Sequence, residues 1–512
     1  FDHEDGPLRA IADGADPARL GAAAEAALAS GAWARSQLAF DDAILWYRAA
    51  LQCLEVTPEP DGARMAEVLL ALGEAQRVTN AAEARATLLR AAHLARSSGD
   101  ADALARAALA SLRDTLGGAG TPDLAEAEIL RAALERIGEG DSSARARLLA
   151  ALAVEEAAAS APSASTLATE AVAMAERLDD PALLGLVLAQ AAVAETEPSR
   201  FERRQELAAS LAAVAPQLTD PERQFSGAFV RSTVALEAGD LGTVERCLTE
   251  ARDAASRRRH PLLSWHLSIR EAADAYARGE LDRAQRFADG ALELGQRARS
   301  PETLASFRPL LLAIRRMQGR LTELVPRLEQ LFAVDPAADS FAIARAMADA
   351  GRLDLAELAY EPEASKGFDG IDGPAAAAEL CNLAYLAAIL GDVDGARRLA
   401  ERISGFRDRH AVFVVPLHVG AHYLAMLAAT QGDTPTAHRL FDDAVRIHDS
   451  RGMPLLGAET RMEWARFCHA VQAIDYAREL AAQARTVAAH HRAHGLDAQS
   501  RALLSALPAA TA

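Results

Sequence analysis

Apolar residues recur three and four positions apart over most of this 512-residue chain, and short polar turns interrupt them at a nearly constant interval. That spacing puts apolar side chains on one face of an α-helix, so the pattern predicts a long succession of amphipathic helices. At each clear interruption stands a glycine, then a polar residue, then a small or apolar residue five positions after the glycine. The instances run from Gly239 to Val244, Gly279 to Ala284, Gly319 to Leu324, Gly351 to Ala356, Gly391 to Ala396 and Gly432 to Ala437. Successive glycines are 40, 40, 32, 40 and 41 residues apart. The same step reaches degenerate copies at Leu38, Thr79, Gly120, Ser163 and Gln472 and a poor one near Ser199, which makes about twelve units.

Each glycine follows an apolar helical stretch, such as Leu380, Leu383, Ala384 and Ala387 before Gly391, and so sits where a helix ends in a left-handed residue. The next helix starts within about three residues. Its residues at the spacing of Ala437, Phe441 and Ala444 share one face and pack on the helix before it. A hairpin of this size cannot bury its apolar face alone, so neighbours must stack on it. The predicted fold is therefore all-α, a right-handed superhelical solenoid of about twelve hairpins of roughly 40 residues each. Residues 1–20 read as a boundary segment without an initiator Met, beyond which more chain is expected. Residues 21–360 hold the first nine repeats, 375–507 the last three, and 508–512 a tail. Between them, the short step at Gly351 predicts a second helix ending near Tyr360 and a loop over 361–374, where Gly and Pro act as breakers. That loop reads either as a hinge or lid, or as a tolerated insertion on the outer face.

The small–aromatic–Ala spacing resembles that of tetratricopeptide repeats, and Asp335-Pro336 resembles the proline that closes such a repeat. The unit here exceeds the usual ~34 residues. The longer form is similar to the C-terminal repeat region of large bacterial ATP-dependent signalling regulators of the LuxR/MalT type and their cyclase-bearing relatives. The likeness is carried by residues 38–51, from Leu38 through Trp46-Tyr47 to Leu51. It is carried too by Phe413-Val414-Val415-Pro416-Leu417, by 424–432 and 441–445, and by Arg461-Met462-Glu463-Trp464-Ala465-Arg466. It implies a ligand- or protein-binding sensor arm of a transcriptional regulator, with an ATPase module of the same polypeptide among its partners.

Composition narrows the chemistry. Half of the residues are hydrophobic, only 5% are aromatic, and alanine is abundant, which favours helix over sheet. A net charge of −18, with no basic run longer than Arg257-Arg258-Arg259, argues against direct nucleic-acid binding. Lys366 is the sole lysine and lies outside any phosphate-loop motif, so nucleotide hydrolysis of that kind is not expected. The four cysteines are far apart, no apolar run reaches the ~20 residues of a membrane helix, and a cytoplasmic protein without cofactor is expected.

Candidate sites are few. Nine of the thirteen histidines lie between His410 and His494, and His418 and His422 are spaced by one helical turn. They lack the Glu of a hydrolytic zinc helix and an identifiable third ligand, so no metal is assigned and surface or groove positions are expected. Paired acids such as Glu155-Glu156 read as solvated helix faces. No nucleophile motif is present, and no enzyme activity is expected. The stacked first helices should form a concave wall instead. Counting back ten and six residues from Gly391, Gly432 and Gln472 places Cys381, Tyr385, His422, Met426, Met462 and Arg466 on it, with His469 three before the last turn. These residues are the candidate binding groove for a protein, peptide or small-molecule effector. A constitutive interaction scaffold is the alternative.

Overall fold

A computed structural model describes residues 16–57, 61–79, 81–112, 122–258, 260–297, 303–334 and 340–508. Phe1, Gly120 and Asp335-Pro336 lie outside them. The chain forms two compact units, one of Phe1–Ala194 with Ala298–Ser300 and one of Glu195–Arg297 with Pro301–Ala512.

The N-terminal unit contains α1 (Pro17–Ser36), α2 (Phe40–Glu55), α3 (Gly62–Thr79), α4 (Ala81–Ser98), α5 (Ala101–Ala110), α6 (Leu124–Arg136), α7 (Ser143–Ala158), α8 (Ala164–Arg177) and α9 (Pro181–Ala194). Successive helices pair as antiparallel hairpins, and each hairpin packs on the next. The buried core is mostly Ala and Leu with Tyr47 as its large filler; a Cβ on Gly31 would meet the Tyr47 ring at 2.6 Å. Ion pairs run along this stack from one repeat to the next: Arg35 with Glu74, Arg48 with Glu83, Arg90 with Glu55. The expectation that Glu155-Glu156 is solvated is corrected here. Both are buried: Glu155 accepts the Asp123 backbone N–H at 2.8 Å, and Glu156 accepts from Arg131 and from the Ser163 hydroxyl at 2.9 Å.

The C-terminal unit contains α10 (Phe201–Val214), α11 (Pro221–Ala238), α12 (Leu241–Arg258), α13 (Pro261–Ala277), α14 (Leu281–Arg297), α15 (Thr303–Gln318), α16 (Val325–Val334), α17 (Ser340–Asp349), α18 (Leu353–Ser365), α19 (Ala376–Leu390) and α20 (Val393–Ile403). A two-stranded antiparallel ribbon follows, β1 (His410–Val412) and β2 (Pro416–Val419). Then come α21 (Gly420–Thr430), α22 (Thr434–Ser450), α23 (Pro454–Ala470), α24 (Ile474–His490) and α25 (His494–Ala506). The described helices follow one another as an all-α hairpin solenoid whose only strands among the described residues are that short ribbon.

The repeat glycines act as read from the sequence. Gly239, Gly279, Gly319, Gly351, Gly391 and Gly432 all have φ between 73° and 84° and end their helices in the left-handed region. The polar residue after the glycine caps the next helix: Asp240, Asp392 and Asp433 accept the backbone N–H three residues on at 2.9, 2.9 and 3.2 Å. Leu38 and Gln472 take the same conformation without being glycine. Ser163 does not; Ser160 is the left-handed residue there. At the poor copy near Ser199 the chain makes a 3-10 turn, Pro198–Arg200, and the division between the two units falls just before it.

The loop expected over 361–374 is shorter than predicted. Helix α18 continues through Pro362 to Ser365, and the turn after it is tied down by a buried Phe368 against Tyr360 (ring centroids 5.8 Å apart). Arg402 donates to the carbonyl oxygens of Phe368 and Ile371 and to Asp372. These anchors outweigh the helix-breaking effect of one proline near a helix end.

Candidate functional site

The first helices of the C-terminal hairpins do more than stack on their neighbours. Within this unit α13 also packs on α23, and α15 on α25, five repeats later in the chain. The contact is close because both sides lack side chains. A Cβ built on Gly319 would meet the backbone of Gly495 at 3.0 Å, and one on Gly495 would meet the Arg316 carbonyl at 2.3 Å.

Beside this junction, charged and aromatic side chains from several first helices converge. Arg316 (α15) makes a forked ion pair with Glu459 (α23) and lies 3.8 Å from Asp349 (α17). Asp349 accepts the Tyr385 hydroxyl (α19) at 2.5 Å. Arg345, one turn before Asp349, donates to the Tyr423 hydroxyl (α21) at 3.1 Å and lies 4.5 Å above the Tyr385 ring. Glu463 (α23) pairs with Arg466, which also donates to Gln499 (α25) at 3.0 Å. Three arginines thus face three carboxylates in a recess. Its floor, Tyr385 and Arg345, is buried, while Arg466 is surrounded by protein on most sides yet keeps 41% of its side chain exposed.

The electrostatics follow from burial. Burial pushes the Glu463 carboxyl above its usual range; Asp349 and Glu459 add to the push, and Arg466 opposes it. Burial and the Asp349 carboxylate hold the Tyr385 hydroxyl well above its ordinary value, so it remains a donor. Burial disfavours the Arg316 charge, but Glu459 and its other neighbours outweigh that and keep it protonated.

A second polar cluster lies at the ribbon. His418 is on β2 and His422 on α21, so the helical pair expected from their spacing does not form. Their rings stack instead, centroids 3.9 Å apart. The surface or groove position expected for them is corrected as well, since His410, His418, His422 and His448 are all buried. His410 donates through Nδ1 to the Leu417 carbonyl at 2.9 Å, and His422 through Nδ1 to the Thr460 hydroxyl at 3.0 Å. Among the described residues no group of three His, Cys, Asp or Glu is arranged to hold a metal ion. All four cysteines are buried with their thiols pushed up by burial, the Cys468 thiol to about 11, opposite to what an activated nucleophile needs.

Of the seven groove residues read from the sequence, the structure brings Tyr385 and Arg466 into the recess. Cys381, His422, Met426 and Met462 are buried in packing between helices, Met462 accepting the Ser500 hydroxyl through its sulfur at 3.1 Å. His469 is half-buried near the end of α23. The counting rule missed Arg316, which stands three before Gly319 as His469 does before Gln472, and Asp349, Glu459 and Glu463, which sit at other distances from their turns. It would have found Arg345, six residues before Gly351, had the rule been carried one repeat further back. Charged residues inside otherwise apolar first helices were the available signal for the rest.

No family model matches the chain, and no curated protein does. Among solved structures it is similar to the APC/C hetero-tetramer Cut9–Hcn1, at 13% identity and a TM-score of 0.47 over 94% of this chain and 96% of that one. It is similar also to a Rap protein complexed with competence and sporulation factor, at 10% identity and a TM-score of 0.34 over 70% and 97%. A circular tandem repeat protein aligns over 96% and 95% at 14% identity and a TM-score of 0.14.

Proposed function

We propose that the chain is a non-catalytic binding protein whose C-terminal unit holds a peptide segment or small effector in the recess around Arg316, Asp349, Tyr385, Glu459, Glu463 and Arg466. The observation that carries this reading is the partly open ion-pair cluster. Helix stacking needs only a small or apolar residue six positions before the turn, as Ala313 and Met426 supply, so Tyr385 and Arg466 at that position, with four charged groups converging beside them, ask for another reason. Guanidinium and carboxylate groups together suit a ligand that bears both donors and acceptors, as a peptide does. With the regulator resemblance of the repeats, the module reads as the cytoplasmic sensor arm of a bacterial signalling protein. Ligand would favour one arrangement of the stacked repeats and so shift what an attached module experiences.

A constitutive scaffold has one observation in its favour: the backbone contact of Gly319 with Gly495 ties repeats that are far apart in sequence and limits rearrangement. Selection of a displayed peptide library on the whole chain tests the binding reading. Enriched peptides should bind at least about tenfold more weakly to Glu463→Gln and Arg466→Ala. Enrichment that ignores both substitutions rules out the recess. Small-angle scattering with a selected peptide then separates sensor from scaffold, because only the sensor changes its curve.

A further inference from the structure

The wall made by α10, α11, α13 and the start of the ribbon has a different charge balance from the recess. Two guanidiniums, Arg204 and Arg409, share one carboxylate, Glu237, and a third, Arg270, binds a hydroxyl one turn earlier on α11. Glu237 accepts from Arg204 Nη2 at 2.8 Å and from Arg409 Nη1 at 3.4 Å, and the same two guanidiniums lie 5.5 and 4.6 Å from the Phe201 ring centroid. Burial pushes the Glu237 carboxyl up against the pull of both arginines, which weakens its value as a counter-charge. Glu202 is the other acid that acts on Arg409.

Arg270 has no carboxylate within ion-pairing distance among the described residues. It is 4% exposed, donates through Nη2 to the Thr233 hydroxyl at 2.9 Å and lies 4.9 Å from the Phe229 ring centroid. Among the described residues its Nε and Nη1 have no acceptor, and neither has Nε of the buried Arg204. Thr233 precedes Glu237 by one turn of α11, so Arg270 lies beside the Arg204–Glu237–Arg409 group along the same helix face. Buried charges are ordinarily paired, and an aromatic face and one hydroxyl replace only part of a guanidinium's hydration. Surplus positive charge inside a chain of net charge −18 runs against its composition.

We propose that this wall binds a small oxyanion, a carboxylate or a phosphate group, which accepts from Arg270 Nε and Nη1 and is flanked by Arg204 and Arg409. The site is separate from the recess and stands independently of the function proposed for it.

Thermal unfolding and titration calorimetry of the whole chain with inorganic phosphate, succinate and chloride at equal ionic strength test the proposal. Phosphate or succinate should raise the midpoint by about 3 °C at roughly ten times its Kd, while chloride does not. Which of the two acts identifies the source of the oxyanion. The response should vanish in Arg270→Met and persist in Arg466→Met. Arg270→Lys, which keeps the charge but loses the fork, should bind about tenfold more weakly, and it decides the matter if the Met variant fails to fold. No excess over chloride, an undiminished response in Arg270→Met, or unchanged affinity in Arg270→Lys overturns the proposal.

Discussion

The ion pairs of the two units are built from the same residue types and do different work. In the N-terminal unit Arg35–Glu74, Arg48–Glu83 and Arg90–Glu55 join residues 39, 35 and 35 apart, about one repeat, with both partners substantially exposed. In the C-terminal unit Arg316–Glu459 and Arg409–Glu237 join residues 143 and 172 apart, and these partners are mostly buried. Ladders between neighbours follow from the repeat itself. Pairs across five repeats need segments of the C-terminal unit that meet again later in the chain, and of these Arg316–Glu459 lies at the edge of the recess.

Acid should separate the two units most strongly. Burial holds His410, His418, His422 and His448 below their ordinary value near 6.5, His410 at about 3, with Arg345, Arg316, Arg451 and neighbouring histidines adding to the effect on the others. Below about pH 6.5 the unfolded chain takes up protons that the folded chain refuses. Stability is therefore complete above that pH and lost as the pH falls toward the folded values, by about 1.4 kcal/mol per pH unit for each such histidine. Each unit carries two tryptophans, Trp33 and Trp46 or Trp265 and Trp464, so fluorescence of variants keeping one pair reports them separately. The Trp265/Trp464 transition should come first on acidification, and simultaneous loss of both would count against a histidine origin.

Removing one partner of the long-range pair comes next. Glu459→Ala leaves Arg316 largely buried without its fork and should cost about 3–5 kcal/mol in urea unfolding of the C-terminal unit, with most of it regained in the Arg316→Met/Glu459→Met double variant. Two glycine substitutions then isolate the tertiary contact from the local turn. Gly391→Ala has open space around its Cβ and should cost about 1 kcal/mol for the left-handed backbone alone. Gly319→Ala meets the Gly495 backbone as well and should cost about 3 kcal/mol. Equal costs would show that the junction is loose. The smallest effect belongs to the exposed ladder, where Arg35→Ala or Glu74→Ala should shift stability by about 0.5 kcal/mol or less and less still in high salt.

The hairpin register was legible because it rests on local physics. A glycine after an apolar stretch and an Asp next to it specify one helix end and one helix start, and Gly391-Asp392 and Gly432-Asp433 behave as that code says. Where the local signal was weak the reading slipped, from Ser163 to Ser160 and from a loop to a helix at 361–365. In that second case a buried Phe368 and the Arg402 clamp, both tertiary features, overrode a proline. His418 and His422 show the same limit: their spacing fits one helix turn, yet a ribbon places one of them on a strand.

Sequence alone determined that this chain is a stack of helical hairpins and where the helices that stop at a repeat glycine end, because capping and amphipathic spacing act within a few residues. Only the tertiary structure decided that Gly319 would touch Gly495, that Arg316 would find Glu459, and that Arg270 would be buried with no carboxylate beside it among the described residues. The first two outcomes depend on small angles between successive hairpins added over five repeats, and no short stretch of sequence encodes that sum.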